Sequence, residues 1–266
     1  MRPAELFSSL VDLVLPAACG GCGAGGTLWC AACGATLGPP RSVAGVPPVL
    51  AAGRYSGSLR TALLAYKERG RRDLAAPLAD LLAVPLAAAR ARTAPHAGAR
   101  PRLPCAPARC GPSPPVAAGR PPGPRPHDGA AVVWLVPAPS RPAAARARGG
   151  DHVLRLCRLL AARDPGLRVA PALRLARHAR DSVGLDAGQR RANLAGRLRV
   201  RSEALPPAGA PVLLVDDVVT TRTTLAACAS ALGTHAVRAL GAVVLCDATQ
   251  PQHHRCLYDT PFVIEL

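Results

Sequence analysis

Pro211-Val-Leu-Leu-Val-Asp216-Asp217-Val-Val-Thr220-Thr221-Arg222-Thr223-Thr224-Leu225 is the most informative stretch of the 266-residue chain. Its apolar run predicts a buried strand over Pro211–Val215, closed by two adjacent carboxylates. A hydroxyl-rich loop follows, and the pattern over Thr223–Leu232 predicts a helix ended by Gly233. A single Asp or Thr suffices to cap a helix, yet Asp216, Asp217, Thr220, Thr221, Thr223 and Thr224 crowd into nine positions. In open α/β sheets ligands bind beyond the carboxyl ends of strands. A helix start there offers unpaired N–H groups and a positive dipole end to a phosphate. The two acids can accept hydrogen bonds from sugar hydroxyls or hold Mg²⁺ through water. A phosphosugar fits, with its phosphate in the loop and its diol on the acids.

Outward from this stretch the pattern alternates. Ala131–Val136, Ala172–Leu175, Leu198–Val200 and Ala236–Leu245 read as strands, and Asp151–Ala162 and Ala187–Ala195 as helices. Such alternation predicts βαβ units and a parallel sheet. Upstream, a strand or hairpin is expected around Val49–Tyr55, then helices around Ser58–Glu68 and Leu74–Ala91. Residues 93–129 hold eleven prolines and only Leu103 and Val116 as large aliphatics. No core face can be drawn there, and a disordered or loosely extended insertion is expected. The chain thus divides into 1–40 (helix and four-cysteine module), 41–92 (first part of the α/β domain), 93–129 (insertion) and 130–266 (the rest of the α/β domain).

Ten cysteines are present. Cys19-x2-Cys22-x7-Cys30-x2-Cys33 is two C-x-x-C turns across a Gly-rich loop, a spacing that favours a closed tetrahedral zinc site over a redox pair or an iron–sulfur cluster. Four thiolates leave no open position, so the zinc would be structural. Cys157 and Cys228 lie in apolar helical patterns and read as core. Cys105 and Cys110 read as exposed thiols, and Cys246, His253, His254 and Cys256 match no metal spacing. Leu6, Leu10, Leu13 and Val14, with Asp12 among them, make an amphipathic N-terminal helix rather than a signal core. No uncharged apolar window of about 18 residues is present. A cytoplasmic protein without membrane insertion is expected, and there cysteines seldom form disulfides.

The charge is lopsided, 33 Lys+Arg against 16 Asp+Glu, and Lys67 is the only lysine. Lys67, Arg69, Arg71 and Arg72 form one cluster, and Arg141, Arg146 and Arg148 a second. Arg174, Arg177, Arg180, Arg190 and Arg191 form a third. Such density suits phosphate-bearing partners, single-stranded DNA among them. It equally suits a solvated surface inflated by GC-rich codon usage. Aromatics are 3% of the chain, which excludes widespread base stacking.

The acidic strand-end resembles the phosphoribosyl-pyrophosphate (PRPP) motif of type I phosphoribosyltransferases: strand, two acids, three residues, Thr-Gly-x-Thr. With the four-cysteine module it resembles the ComF family, linked to DNA uptake in competent bacteria. Val136-Pro137-Ala138-Pro139 with Arg148-Gly149, Arg190-Arg191-Ala192-Asn193-Leu194-Ala195-Gly196, and Tyr66-Lys67-Glu68-Arg69-Gly70 are similar to further family segments. The resemblance implies a type I phosphoribosyltransferase-like parallel sheet flanked by helices. It implies PRPP as ligand, with Thr220, Thr221, Arg222, Thr223 and Thr224 on the 5′-phosphate and Asp216 and Asp217 on the ribose. Ser140 and Arg141 would face the pyrophosphate with Mg²⁺, and zinc would sit on the four cysteines. Weak transferase activity is one implied function. The alternative is an accessory of DNA uptake that binds single-stranded DNA and a competence helicase, with a non-catalytic pocket. A zinc-ribbon transcription factor lacks any recognition-helix signal.

Three positions depart from the family. Arg222 replaces the loop glycine, and is either a strained backbone position or a direct phosphate ligand. Thr220 stands where purine-type relatives carry a carboxylate base, a role a hydroxyl fills poorly at neutral pH. The usual Arg-Gly-Phe-Asn-Gln run reads Arg148-Gly149-Gly150-Asp151-His152.

Overall fold

The computed structural model describes residues 17–93, 132–176 and 197–249. Six strands form one sheet in the order β1-β2-β8-β7-β3-β4, with β1 (Arg41–Val43), β2 (Val49–Arg54), β3 (Val133–Pro137), β4 (Leu167–Val169), β7 (Val212–Val219) and β8 (Ala239–Asp247). Within this sheet, among the described residues, only β1 pairs antiparallel; the other four pairings are parallel. The expected α/β sheet is therefore present among the described residues, mostly parallel and covered by helices on both faces.

The two faces follow from strand alternation. Leu213 and Val215 of β7 join one core with α2 (Gly57–Glu68), α3 (Ala75–Thr93) and α5 (His152–Arg163). Val212 and Leu214 join the other, with α6 (Thr223–Gly233) and a small antiparallel pair, β5 (Leu173–Leu175) and β6 (Leu198–Val200). In and just before α3, Leu74, Leu78, Leu82 and Leu86 recur every fourth residue, and all are buried. Each such leucine is worth about 1.5–3 kcal/mol relative to exposure.

Several sequence expectations are refined. The central strand does not stop at Val215. It runs through both aspartates to Val219, because β8 supplies partners as far as Asp247. Ala172–Leu175 and Leu198–Val200 are strands, but they pair with each other outside the main sheet. The short elements α1 (Ala31–Ala35), β1, α4 (Pro142–Ala147) and β4 carry too few residues to show a period. Cys157, Cys228 and Cys246 are all buried in the core. One helical stretch, Arg72–Arg92, is long and apolar enough by length and composition to cross a membrane, with mean hydropathy 1.5. Its charged residues keep it out of an uncharged-window reading, and its leucine face is buried against the sheet and α5. The expectations for residues 1–15, 187–195 and 253–256, and for 93–129 beyond Thr93, which ends α3, lie outside the described residues, and with them Cys105, Cys110, Arg177, Arg180, Arg190, Arg191, His253, His254 and Cys256.

Candidate functional site

Strand order decides where a ligand can sit. From β3 the chain passes through α4 and α5 to β4 on one side, whereas from β7 it passes through α6 to β8 on the other. Helices α5 and α6 lie on opposite faces. The loops leaving β3 and β7 therefore diverge, opening a crevice at the carboxyl ends of the two central strands. A cleft of about 600 Å³ lies there, lined by Pro139, Ser140, Arg141 and Arg148 on one side and by Asp216, Asp217 and Thr220–Thr224, Arg222 excepted, on the other.

The two carboxylates, adjacent in sequence, meet different surroundings because successive strand residues face opposite ways. Asp217 is 6% exposed. Its Oδ2 accepts from Lys67 Nζ of α2 at 2.7 Å and is in hydrogen-bond contact with His152 Nε2 of α5. Burial alone would raise the Asp217 carboxyl; His152 and the Lys67 charge outweigh it and hold the group at about 2. Asp216 is half-buried, and its Oδ1 accepts the backbone N–H of Asp217 at 2.8 Å. Burial, reinforced by the Asp217 charge, pushes Asp216 up to about 8. The two acids are thus shifted in opposite directions, a division suited to distinct roles.

The loop after β3 is tied to the same centre. Asp151 caps α5, its Oδ1 accepting from Val153 N and Leu154 N, while its Oδ2 accepts from Ser140 N at 3.1 Å. Ser140 Oγ and Arg148 Nη1 each lie 3.4 Å from His152 Nδ1. The other ring nitrogen, Nε2, faces Asp217. His152 thus links the β3 loop to the acidic strand.

The loop after β7 answers the question raised by Arg222. Its backbone has φ 60° and ψ 0°, the left-handed conformation glycine adopts freely and arginine at a cost of about 1–2 kcal/mol. Its guanidinium does not enter the cleft: it donates to the Ala44 carbonyl and packs on Gly45. Thr220 and Thr221 are exposed, Thr224 half-buried and Thr223 buried, and Thr221 Oγ1 donates to Thr223 Oγ1 at 3.0 Å. Of the residues expected on the sugar phosphate and pyrophosphate, all but the Arg222 side chain come together around one cleft. Sequence reasoning misses two residues: His152, which lines the cleft, and Lys67, which reaches it only through Asp217; the altered run at residues 148–152 is the only hint of the former.

A second cluster lies apart. The Sγ atoms of Cys19, Cys22, Cys30 and Cys33 all fall within 4.8 Å of one another, with Cys19–Cys33 at 3.8 Å and Cys22–Cys30 at 3.6 Å. A tetrahedron with Zn–S bonds of about 2.3 Å has edges of about 3.8 Å, so the tetrad is compatible with a structural zinc ion. Cys30 N donates to Cys19 Sγ and Cys33 N to Cys30 Sγ, both at 3.4 Å. Burial would raise the Cys19 thiol, but backbone N–H groups of Cys22, Cys30 and Gly21 outweigh it and bring it down to about 6, whereas burial and the Cys30 and Cys22 thiols push Cys33 up to about 12; a bound cation would supply the charge that makes all four thiolates. Gly20 and Gly21 let this knuckle seat closely: a Cβ would lie 2.7 Å from Leu74 Cδ1 at the first and 2.6 Å from Ser58 Cβ at the second.

Compared with protein-family models and with curated proteins, the chain matches none.

Proposed function

We propose that the switch-point cleft binds PRPP or a related phosphosugar, as the resemblance to the ComF family implies, and that the protein is a weak phosphoribosyltransferase with a structural zinc knuckle. The observation that carries this reading is the meeting of a hydroxyl-rich turn at a helix start and a carboxylate pair in one crevice at the β3 and β7 ends. The 5′-phosphate would lie against Thr220, Thr221, Thr223 and Thr224 at the start of α6, where unpaired N–H groups and the helix dipole favour an anion. The ribose hydroxyls would meet Asp216, with Asp217 held behind it by Lys67 and His152. Ser140, Arg141 and Arg148 would take the pyrophosphate, and Mg²⁺ carried in with it would neutralise its charge. Rate enhancement would then rest on positioning and on charge stabilisation of the departing pyrophosphate. Thr220 supplies no base, in keeping with low activity.

Calorimetry on the zinc-loaded full chain tests this. PRPP with Mg²⁺ is expected to bind, and ribose 5-phosphate to bind more weakly because it lacks the pyrophosphate half. Absence of PRPP binding beside salt-dependent binding of a single-stranded oligonucleotide would replace this reading by a nucleic-acid-binding one.

A further inference from the structure

We propose that the segment Tyr66–Asp73 is a strut through which the four-cysteine knuckle sets the geometry of the cleft, with Lys67 as the positioning residue for Asp217. One end of the segment holds the knuckle. Arg71 Nη2 donates to the Ala18 carbonyl at 2.8 Å, and Asp73 fixes that guanidinium through Nε and Nη2 at 2.7–3.0 Å. Leu74, fully buried, is the surface on which Gly20 sits.

The same segment holds the cleft at three points: on β7, on the first residue of α5 and on the loop between α4 and α5. Lys67 Nζ meets Asp217 Oδ2 of β7 at 2.7 Å, and Tyr66 Oη donates to the His152 carbonyl of α5 at 3.0 Å. Arg72 Nη2 donates to the Arg148 carbonyl at 3.0 Å, and a Cβ on Gly149 would lie 1.9 Å from that same nitrogen. Arg148 and His152 both line the cleft.

There is little slack between the knuckle contacts and the cleft contacts. Arg71 N and Arg69 N both bond the Ala65 carbonyl, Arg72 N bonds Gly70 O at 2.7 Å, and Leu74 N bonds Arg71 O. Gly70, at φ 69°, makes the turn that brings both arginines to their targets. Displacing the knuckle therefore displaces Arg71, and with it the carbonyl and carboxylate contacts that Arg72 and Lys67 make. This inference concerns positioning; its ligand arm alone rests on the phosphosugar reading.

Arg71→Ala in the full, zinc-loaded chain is the test, with Arg201→Ala, an exposed arginine paired to Glu203 at 3.1 Å, as control. Arg71→Ala is expected to keep its zinc, yet to exchange backbone amides faster in residues 66–74, 138–152 and 215–219, and to bind PRPP about tenfold more weakly. Faster exchange confined to residues 17–38, with the cleft unchanged, would overturn the proposal. Lys67→Met is expected to shift the imidazole ¹⁵N resonances of His152, and Lys67→Arg to restore them; equal resonances in all three proteins would likewise overturn it. A wild-type chain that binds no PRPP would end the phosphosugar reading, and the exchange and resonance results would still decide the strut.

Discussion

The cysteine knuckle and the cleft are both four-part clusters of reactive side chains, yet they are assembled by different means. The knuckle draws its four sulfurs from residues 19–33, within one pair of turns. The cleft draws on β7, the loop after β3 and the first turn of α5, with the last turn of α2 behind them, and the Lys67–Asp217 contact spans 150 residues of sequence. A cluster closed within one loop can be read from its spacing. A cluster assembled across a sheet requires the strand order, because that order decides which distant groups surround each acid. Asp216 and Asp217 make the point in miniature: they are neighbours in the chain, and their carboxyl groups are shifted in opposite directions.

The sharpest way to break this comparison is to open the knuckle. Cys33→Ser removes one of four thiolates from a site whose metal-binding free energy is expected to be on the order of 10 kcal/mol. Metal analysis is expected to show zinc lost. A variant that keeps a full zinc equivalent would mean that the tetrad is not closed by its own loop.

A smaller effect separates the two acids. The folded Asp217 is depressed, so its contribution is full above about pH 4, its unfolded value, and falls away as pH drops toward 2. The folded Asp216 is raised, so its preference for the protonated form favours folding at low pH and is lost as pH rises from about 4 toward 8. Thermal unfolding across this range should show the acid limb flattened in Asp217→Asn and the alkaline limb flattened in Asp216→Asn. Identical changes in both variants would show that the two acids share one environment.

The smallest effect belongs to Arg222→Gly. It relieves a left-handed backbone and removes the tie to Ala44, opposing changes that should leave stability within about 1 kcal/mol of the wild type. Since the guanidinium points away from the cleft, affinity for PRPP should not fall. A large loss would place the arginine on the ligand after all.

Much of the fold was legible because long elements carry a period. The helix starting at Asp151, the strand at Pro211 and the helix ended by Gly233 all fall where their apolar patterns lie, and Asp151 caps its helix with both N–H bonds in place. Elements of three to six residues, such as β1, β4 and α4, have no period to read, and the length of β7 beyond Val215 was set by its neighbour β8. In the site, the hydroxyl and carboxylate cluster was visible as composition. His152 was visible only as a departure from a family run, and Lys67 only as part of a basic cluster, since neither carries a local signal of its partner.

By itself, then, the sequence determined the cysteine tetrad, the alternation of strands and helices, and the identity of the loop that follows the two acids, because each depends on residues within about one or two turns of one another. Tertiary structure alone decided that one aspartate is held by a lysine and a histidine while the other is not, that Arg222 turns outward to Ala44, and that the knuckle and the cleft share the segment around Lys67. Those outcomes depend on which strands lie side by side and on which face each residue emerges, and burial together with the neighbouring charged groups then shifts the two acids in opposite directions.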